Sequence, residues 1–456
     1  MPPRPTPLEI SVEALRHLPV GDLAAHDHVR TLRARLAVAS ETELLSFFRL
    51  LDTLDIDQTN VQPHLEQAQS SADPTQKRVA LSWLRRHLEP ARDIVLRHLA
   101  APPGDLGLIV DLRAKLLAFL DKGPDAAGLS LLDADLRSFL ATQVDIGLLE
   151  MRRLTWSDSA ALLERLARSE AVHAIRGWFD LKDRLDEDRR VYAFFHPALP
   201  GMPVVFTEVA LTDEMPTSIR AILNPNAPRV DAASARCATF YSISNTEPGL
   251  TGIPFGNALI KHAMAQLRAD LPRLRTFATL SPLPGFADWL RTLGERVDAA
   301  VRATLAVPGW HRNPTALGML REPLLRLAAR YLVEIKRSDG APRDAVARFH
   351  IGNGAMVERL DFLADPSPRG IEQSFGVMVN YRYVPDRYGA NQVAYATNFA
   401  VDVASAVRAL AAADPTLIGE SPAPVARVNV VATWLRGAIV RAKRIVLREA
   451  AGANAG

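Results

Sequence analysis

From about Leu8 to Leu149, apolar residues recur at helical spacing almost without interruption. Leu44, Leu45, Phe47, Phe48, Leu51 and Leu54 make one such run, and Val79, Leu81, Trp83, Leu84 and Leu88 another. Ile94, Val95 and Leu99 follow, then the stretches Leu108 to Leu120 and Leu131 to Leu140. Breaks fall at Asp73-Pro74, Glu89-Pro90, Pro102-Pro103-Gly104 and Gly123-Pro124. Asp73 before Pro74 reads as an N-cap followed by proline at the first helical position. The pattern predicts an all-α bundle over residues 1 to 148. Leu149 to Arg153 lead into a further helix, capped by Ser157 and running to roughly Leu185.

From Val191 the period becomes that of strands. Val191 to His196 and Met202 to Leu211 read as a hairpin around Pro197 to Gly201. Ala238 to Ser244 is a third strand and Arg275 to Leu280 a fourth, with a helix from Ala258 to Leu271 between them. Helices are expected over Phe286 to Leu305 and Arg321 to Val333. Ala347 to Ile351, Ala355 to Phe362, Gly376 to Val384 and Val393 to Ala396 read as strand-like. The fold class is therefore α+β: a helical bundle, then a layered α/β domain with a mixed sheet over residues 149 to 456. A basic helix, Val425 to Ala450, closes the chain.

Length supports the division, because 456 residues exceed what one core organises. The charge balance, 54 Lys and Arg against 51 Asp and Glu, is mild and dispersed. It suits a small anionic ligand better than a nucleic acid, which needs a clustered basic face. A single cysteine, Cys237, leaves no intrachain disulfide and points to a reducing compartment, here the cytoplasm. No apolar run is long enough to span a membrane, and neither end carries a recognisable targeting signal. His26, His28, His87 and His98 sit among charged residues on helical faces, so no metal site is expected.

Candidate chemistry gathers at three places. The stretch Phe277 to Leu290 runs from a strand through Ser281-Pro282-Leu283-Pro284-Gly285 into a new apolar pattern. Two prolines and a glycine stiffen that turn. It presents the Ser281 hydroxyl at a strand end, either as a local cap or as a reactive group. The second place is the turn from Gly249 to Asn257, between a strand and a helix. Its glycines permit close backbone approach, and a helix start offers unpaired N–H groups to a phosphate. Acyl-CoA-binding N-acetyltransferases hold the coenzyme A pyrophosphate on such a turn, with the pattern Gln/Arg-x-x-Gly-x-Gly/Ala. Here Ile253 stands where Gln or Arg is expected. The third place pairs His350, before the Gly352-Asn353-Gly354 turn, with Asn380, Tyr381 and Tyr383 in an apolar strand. Alternation sends the two tyrosines to one face and Asn380 to the other.

Together these stretches resemble the malonyl-CoA decarboxylase family. The blocks that carry the likeness are F-Y-S-I-S, G-L-T-G-I-P-F-G-N-A-L-I-K, L-S-P-L-P-G-F-A-D-W-L, F-H-I-G-N-G-A and F-G-V-M-V-N-Y-R-Y, in that order. The resemblance covers roughly Leu149 to Leu410, with a looser fit to the helical half. It implies an acetyltransferase-like catalytic fold, malonyl-CoA as substrate, and Ser281 and His350 as catalytic residues with Tyr383 beside them. The glycine turn itself is expected to bind the coenzyme A pyrophosphate through Thr251, Gly252, Ile253, Pro254, Phe255, Gly256 and Asn257, and Asn380 is expected among the substrate-binding residues. The resemblance also implies subunit assembly through the helical half, to a dimer or a tetramer.

That reaction calls for no metal or organic cofactor, because the thioester itself receives the electrons. The expectation is that His350, as imidazolium, protonates C2 while Ser281 orients the malonyl carboxylate. Two other classes fit the same residues. One is an N-acetyltransferase with Glu208 as base, and the other a non-catalytic acyl-CoA-binding regulator.

Overall fold

The computed structural model describes residues 5–56, 58–88, 90–102, 104–123, 128–253, 255–413 and 417–418. The basic helix expected over Val425 to Ala450 lies outside them. The described chain divides into two compact units.

The first unit gathers residues 1–181, 191–207 and 243–263. Its helical part runs from Pro7–His17 to Ser130–Gln143. Side chains start these helices by satisfying the orphan N–H groups of the first turn. Thr6 with Glu9 and Ser40 with Glu43 form capping boxes. Asp73 accepts from Thr75 N at 2.8 Å with Pro74 at the first position, as expected. Phe47, Phe48, Leu96, Leu112, Leu136 and Leu140 are buried in this bundle. The pair Gln58–Ser70 and Pro74–His87 closes on a small cluster of its own, Ala68, Ala80 and Leu84 with Val61 and Trp83. Val79, Leu81 and Leu88 of that apolar run stay exposed.

The second unit holds residues 182–190 and 208–242 and the chain from 264 onward. Its core includes Ala210, Ile219, Tyr241, Leu280 and Met378. A second group packs Phe286, Trp289, Tyr331 and Phe375 together, with ring centroids 5.2–6.0 Å apart.

The strands are β1 (Glu150–Leu154), β2 (Arg189–Phe195), β3 (Pro203–Thr212) and β4 (Cys237–Asn245), then β5 (Thr276–Thr279), β6 (Ser281–Pro282), β7 (Met356–Asp361) and β8 (Met378–Arg382). Their order is β1-β2-β3-β4-β5-β8-β6, with β7 also on β8. The sheet is mixed: β4 and β5 run parallel, while β8 is antiparallel to β5, β6 and β7. The crossover from β4 to β5 is the glycine turn followed by the helix Phe255–Asp270, as the sequence pattern predicts.

Six expectations are corrected. Residues 150–154 form β1 against β2 rather than a helical lead-in. The helix that follows is Ala160–Ser169, capped by Ser159 and not by Ser157. It does not run to Leu185, because the Glu170 carboxylate accepts from Val172 N and His173 N and locks a turn. Ala347 to Ile351 belongs to the helix Ala345–Gly352, and Val393 to Ala396 to the helix Tyr388–Asn398. The expected helix over Phe286 to Leu305 is two helices, parted by Gly294 at φ +54° and restarted by the Asp298 cap.

Candidate active site

Ser281 opens β6 directly after β5, paired with Val379 of β8. Tyr383 follows the last residue of β8, and its N–H bonds to Phe277 O at 2.8 Å. His350 comes from the helix Ala345–Gly352, so it is not at a strand end as its local alternation suggested. Asp344 starts that helix by accepting from Val346 N and Ala347 N, both at 2.9 Å. The other oxygen of the same carboxylate accepts from Gly285 N at 3.2 Å. One buried aspartate therefore holds both the serine loop and the histidine helix. Burial pushes the Asp344 carboxyl up, and the three N–H donors partly offset that. Gly285 has no room for a side chain, since a Cβ there would lie 2.4 Å from the Tyr331 hydroxyl.

These elements bring Ser281, His350 and Tyr383 together. The Ser281 hydroxyl donates to Thr279 Oγ1 at 2.8 Å. Its oxygen lies 3.0 Å from His350 Nε2. His350 Nδ1 lies 3.0 Å from the Tyr383 hydroxyl. With the serine hydrogen given to Thr279, the directions assign the hydrogen to Nε2, and Tyr383 donates to Nδ1. Tyr381 stacks on the imidazole, with centroids 4.7 Å apart and planes at 26°. Thr279 Oγ1 also accepts from Tyr381 N at 3.3 Å.

The whole chain is withdrawn from solvent. Ser281 is 5 % exposed, His350 4 % and Tyr383 2 %, so the serine is buried rather than presented at the surface. Burial pushes the His350 pKa down to about 3, which makes the imidazole neutral at physiological pH. The expectation of a resident imidazolium is corrected accordingly. Burial also raises the Tyr383 and Tyr381 phenols, which keep their protons.

Asn380 is fully buried and donates to Thr279 O at 2.8 Å, on the opposite side of β8 from the tyrosines. Glu208, the base that a transferase would use, is paired with Arg184 at 2.9 Å, and both side chains are buried. Thr279 and Asp344 were not singled out from the sequence, and Tyr381 was placed beside Tyr383 in the strand without a role at the imidazole. Only Asp344 carries a local signal there, an aspartate just before an apolar run.

The glycine turn belongs to the first unit. Thr251 and Gly252 are exposed and Gly252 adopts φ +80°, while the Ile253 and Phe255 side chains are core. Phe255 begins the helix, Gly256 and Asn257 lie in its first turn, and Pro254 lies outside the described residues. Among the described residues no helix is long and apolar enough to cross a membrane.

The family model described as the malonyl-CoA decarboxylase C-terminal domain matches residues 147–420, and that of the N-terminal domain matches residues 55–143. Mitochondrial malonyl-CoA decarboxylase from Anser anser anser is 35 % identical over 341 residues, 68 % of each chain. The protein of the same name from Rattus norvegicus is 33 % identical over 344 residues, 68 % of this chain and 69 % of its own. Malonyl-CoA decarboxylase from Rhodopseudomonas palustris has a crystal structure that superposes with a TM-score of 0.80 at 37 % identity, covering 88 % of this chain and 98 % of its own. That from Agrobacterium vitis gives 0.81 at 35 %, covering 89 % and 99 %. These matches take in both the helical half and the half that holds Ser281, His350 and Tyr383, and on them the chain belongs to the malonyl-CoA decarboxylase family.

Proposed function

We propose that the chain is a carboxy-lyase that converts malonyl-CoA to acetyl-CoA and CO2, with Ser281 and His350 handling the proton and Tyr383 setting the imidazole. The observation that carries this reading is the buried Tyr383–His350–Ser281 hydrogen-bond chain within the family-matched half.

Malonyl-CoA brings its carboxylate to a neutral histidine. A carboxylate within a few ångströms favours the imidazolium, so His350 takes up a proton as substrate binds. The Tyr383 hydroxyl then turns from donor to acceptor at Nδ1. The bond from C2 to the carboxylate carbon breaks, CO2 leaves, and the electron pair spreads over C2 and the thioester oxygen. The Ser281 hydroxyl turns its hydrogen from Thr279 Oγ1 to that developing charge and donates to it. The imidazolium proton passes to C2, directly or through the serine hydroxyl, and His350 returns to its neutral state. Protons balance, because the one taken up with the substrate leaves in the acetyl methyl group. No acyl-serine is required, and no cofactor enters the balance.

Coenzyme A is assigned to the turn Thr251 to Asn257, through backbone N–H groups other than those of Thr251, Ile253 and Phe255, which already bond to Pro248 O, Leu250 O and Ile253 O, and not through the buried Ile253 and Phe255 side chains. Assembly through the helical half is supported by the exposed Val79, Leu81 and Leu88. Val79→Asp with Leu81→Asp should give a smaller species on sedimentation, and an unchanged mass would move the interface elsewhere. The cytoplasm suits the single buried Cys237, whereas the avian and rodent relatives are named mitochondrial.

Incubation with malonyl-CoA alone tests the reading. Stoichiometric acetyl-CoA and CO2 are expected. Turnover only after an amine is added would make the chain an acetyltransferase instead.

A further inference from the structure

The loop assigned to coenzyme A lacks the Gln or Arg that the acetyltransferase pattern carries, since Ile253 stands there and is 6 % exposed. The helical half supplies cations at that loop from two sides. Arg113, on the helix Leu106–Leu120, is 2 % exposed. Its Nη1 donates to Gly249 O at 2.7 Å and to Thr251 O at 2.8 Å, while its Nε donates to Asp133 at 2.8 Å. Arg137, on the helix Ser130–Gln143, is exposed and lies against Gly252. A Cβ on Gly252 would lie 3.4 Å from Arg137 Cδ and 3.7 Å from its Nη1.

A buried guanidinium is costly unless it is paired and its hydrogens are used. Arg113 meets both conditions, by Asp133 and by two carbonyls of one loop. In a planar trans peptide the C=O and the next N–H point in opposite directions. Holding Thr251 O toward Arg113 therefore turns the Gly252 N–H away from it. The clamp is close, because a Cβ on Gly249 would lie 1.9 Å from Val110 O of the same helix. Arg137 enters no ion pair among the described residues, so its guanidinium is available to an anion at Gly252.

We propose that Arg113 and Arg137 of the helical half complete the coenzyme A phosphate site. Arg113 is a positioning residue that fixes the loop from its buried side. Arg137 contacts the phosphate directly and replaces the side-chain donor missing at position 253. The proposal rests on the reading that this loop cradles the pyrophosphate.

The test compares KM for malonyl-CoA with KM for malonyl-pantetheine, which lacks every phosphate. Arg137→Ala should raise the first about tenfold, the loss of one charge-assisted hydrogen bond, and leave the second within about twofold. Arg113→Lys keeps the charge but reaches one carbonyl, so its loss should be smaller and show the same selectivity. Both losses should fall on KM rather than kcat. Equal losses with the two substrates would mean a general structural role and would overturn the proposal. Gly256→Val separates the two levels of the argument. If it raises only the malonyl-CoA KM while both arginine variants keep the parent value, the loop reading stands and the arginine assignment fails. If Gly256→Val is itself unselective, the loop reading fails.

Discussion

The two loops at the centre of this account are built alike and serve different ends. Each follows a strand, and each contains a glycine with no space for a methyl group. At Gly285 the obstacle is the Tyr331 hydroxyl, 2.4 Å away, and at Gly249 it is Val110 O, 1.9 Å away. Each loop is tied down by a buried charged residue from elsewhere in the chain. Asp344 holds the serine loop by its Gly285 N–H, and Arg113 holds the glycine loop by the Gly249 and Thr251 carbonyls. The anchors differ in what else they do. Asp344 also starts the helix that carries His350, so the serine loop is fixed to the reacting group. Arg113 belongs to the helical half, so the glycine loop is fixed to a region with no part in bond breaking. The first loop should therefore govern kcat and the second KM.

The largest effects should come from the first loop. Ser281→Ala and His350→Asn should each lower kcat on the order of 10²–10⁴-fold, the usual range for a positioned proton donor, with KM little changed. A normally folded Ser281→Ala enzyme with full activity would remove the serine from the mechanism.

The two crowded glycines come next. Gly285→Ala and Gly249→Ala should each cost about 1–3 kcal/mol in unfolding free energy, as overpacking does. The surviving activity separates them, with Gly285→Ala losing kcat and Gly249→Ala raising KM for malonyl-CoA. The same kinetic signature from both would dissolve the contrast between the loops.

The smallest effect is a pH dependence particular to the first loop. The folded His350 pKa is about 3, against about 6.5 in the unfolded chain. Above pH 6.5 both states are neutral and the group contributes no slope. Below it the unfolded chain binds a proton that the folded chain refuses, so stability falls as pH drops toward 3. Between pH 7.5 and 5.5 this term amounts to about 1.4 kcal/mol, one pKa unit. Urea unfolding of His350→Asn should be flatter than the parent by that amount, and an identical pH slope would refute the buried neutral state.

The same contrast explains what was legible in the sequence. The serine loop announces itself through Pro282, Pro284 and Gly285, which permit little besides a stiff turn. His350 was identified as a residue, but its element was misread. The alternation in A-V-A-R-F-H-I fits a short strand as well as a helix, and the Asp344 cap decides between them. Arg113 gave no signal, because its targets are backbone carbonyls 136 and 138 positions away and any loop sequence offers those. The charge of His350 was misjudged for a related reason. A histidine's ordinary pKa is a property of the residue, whereas its shift depends on burial that only the packed structure reveals. Val79 and Leu81 show the same limit, since their spacing marks an apolar run without saying whether its own bundle covers it.

The most direct test of the central claim, that Ser281 and His350 act as one unit, is the kcat of the Ser281→Ala/His350→Asn double variant beside its two singles. Groups acting as a unit are strongly non-additive. The double variant should fall within about threefold of the worse single, with KM for malonyl-CoA near the parent value. Losses that multiply would show two independent contributions and contradict the hydrogen-bonded pair as the working element of the site.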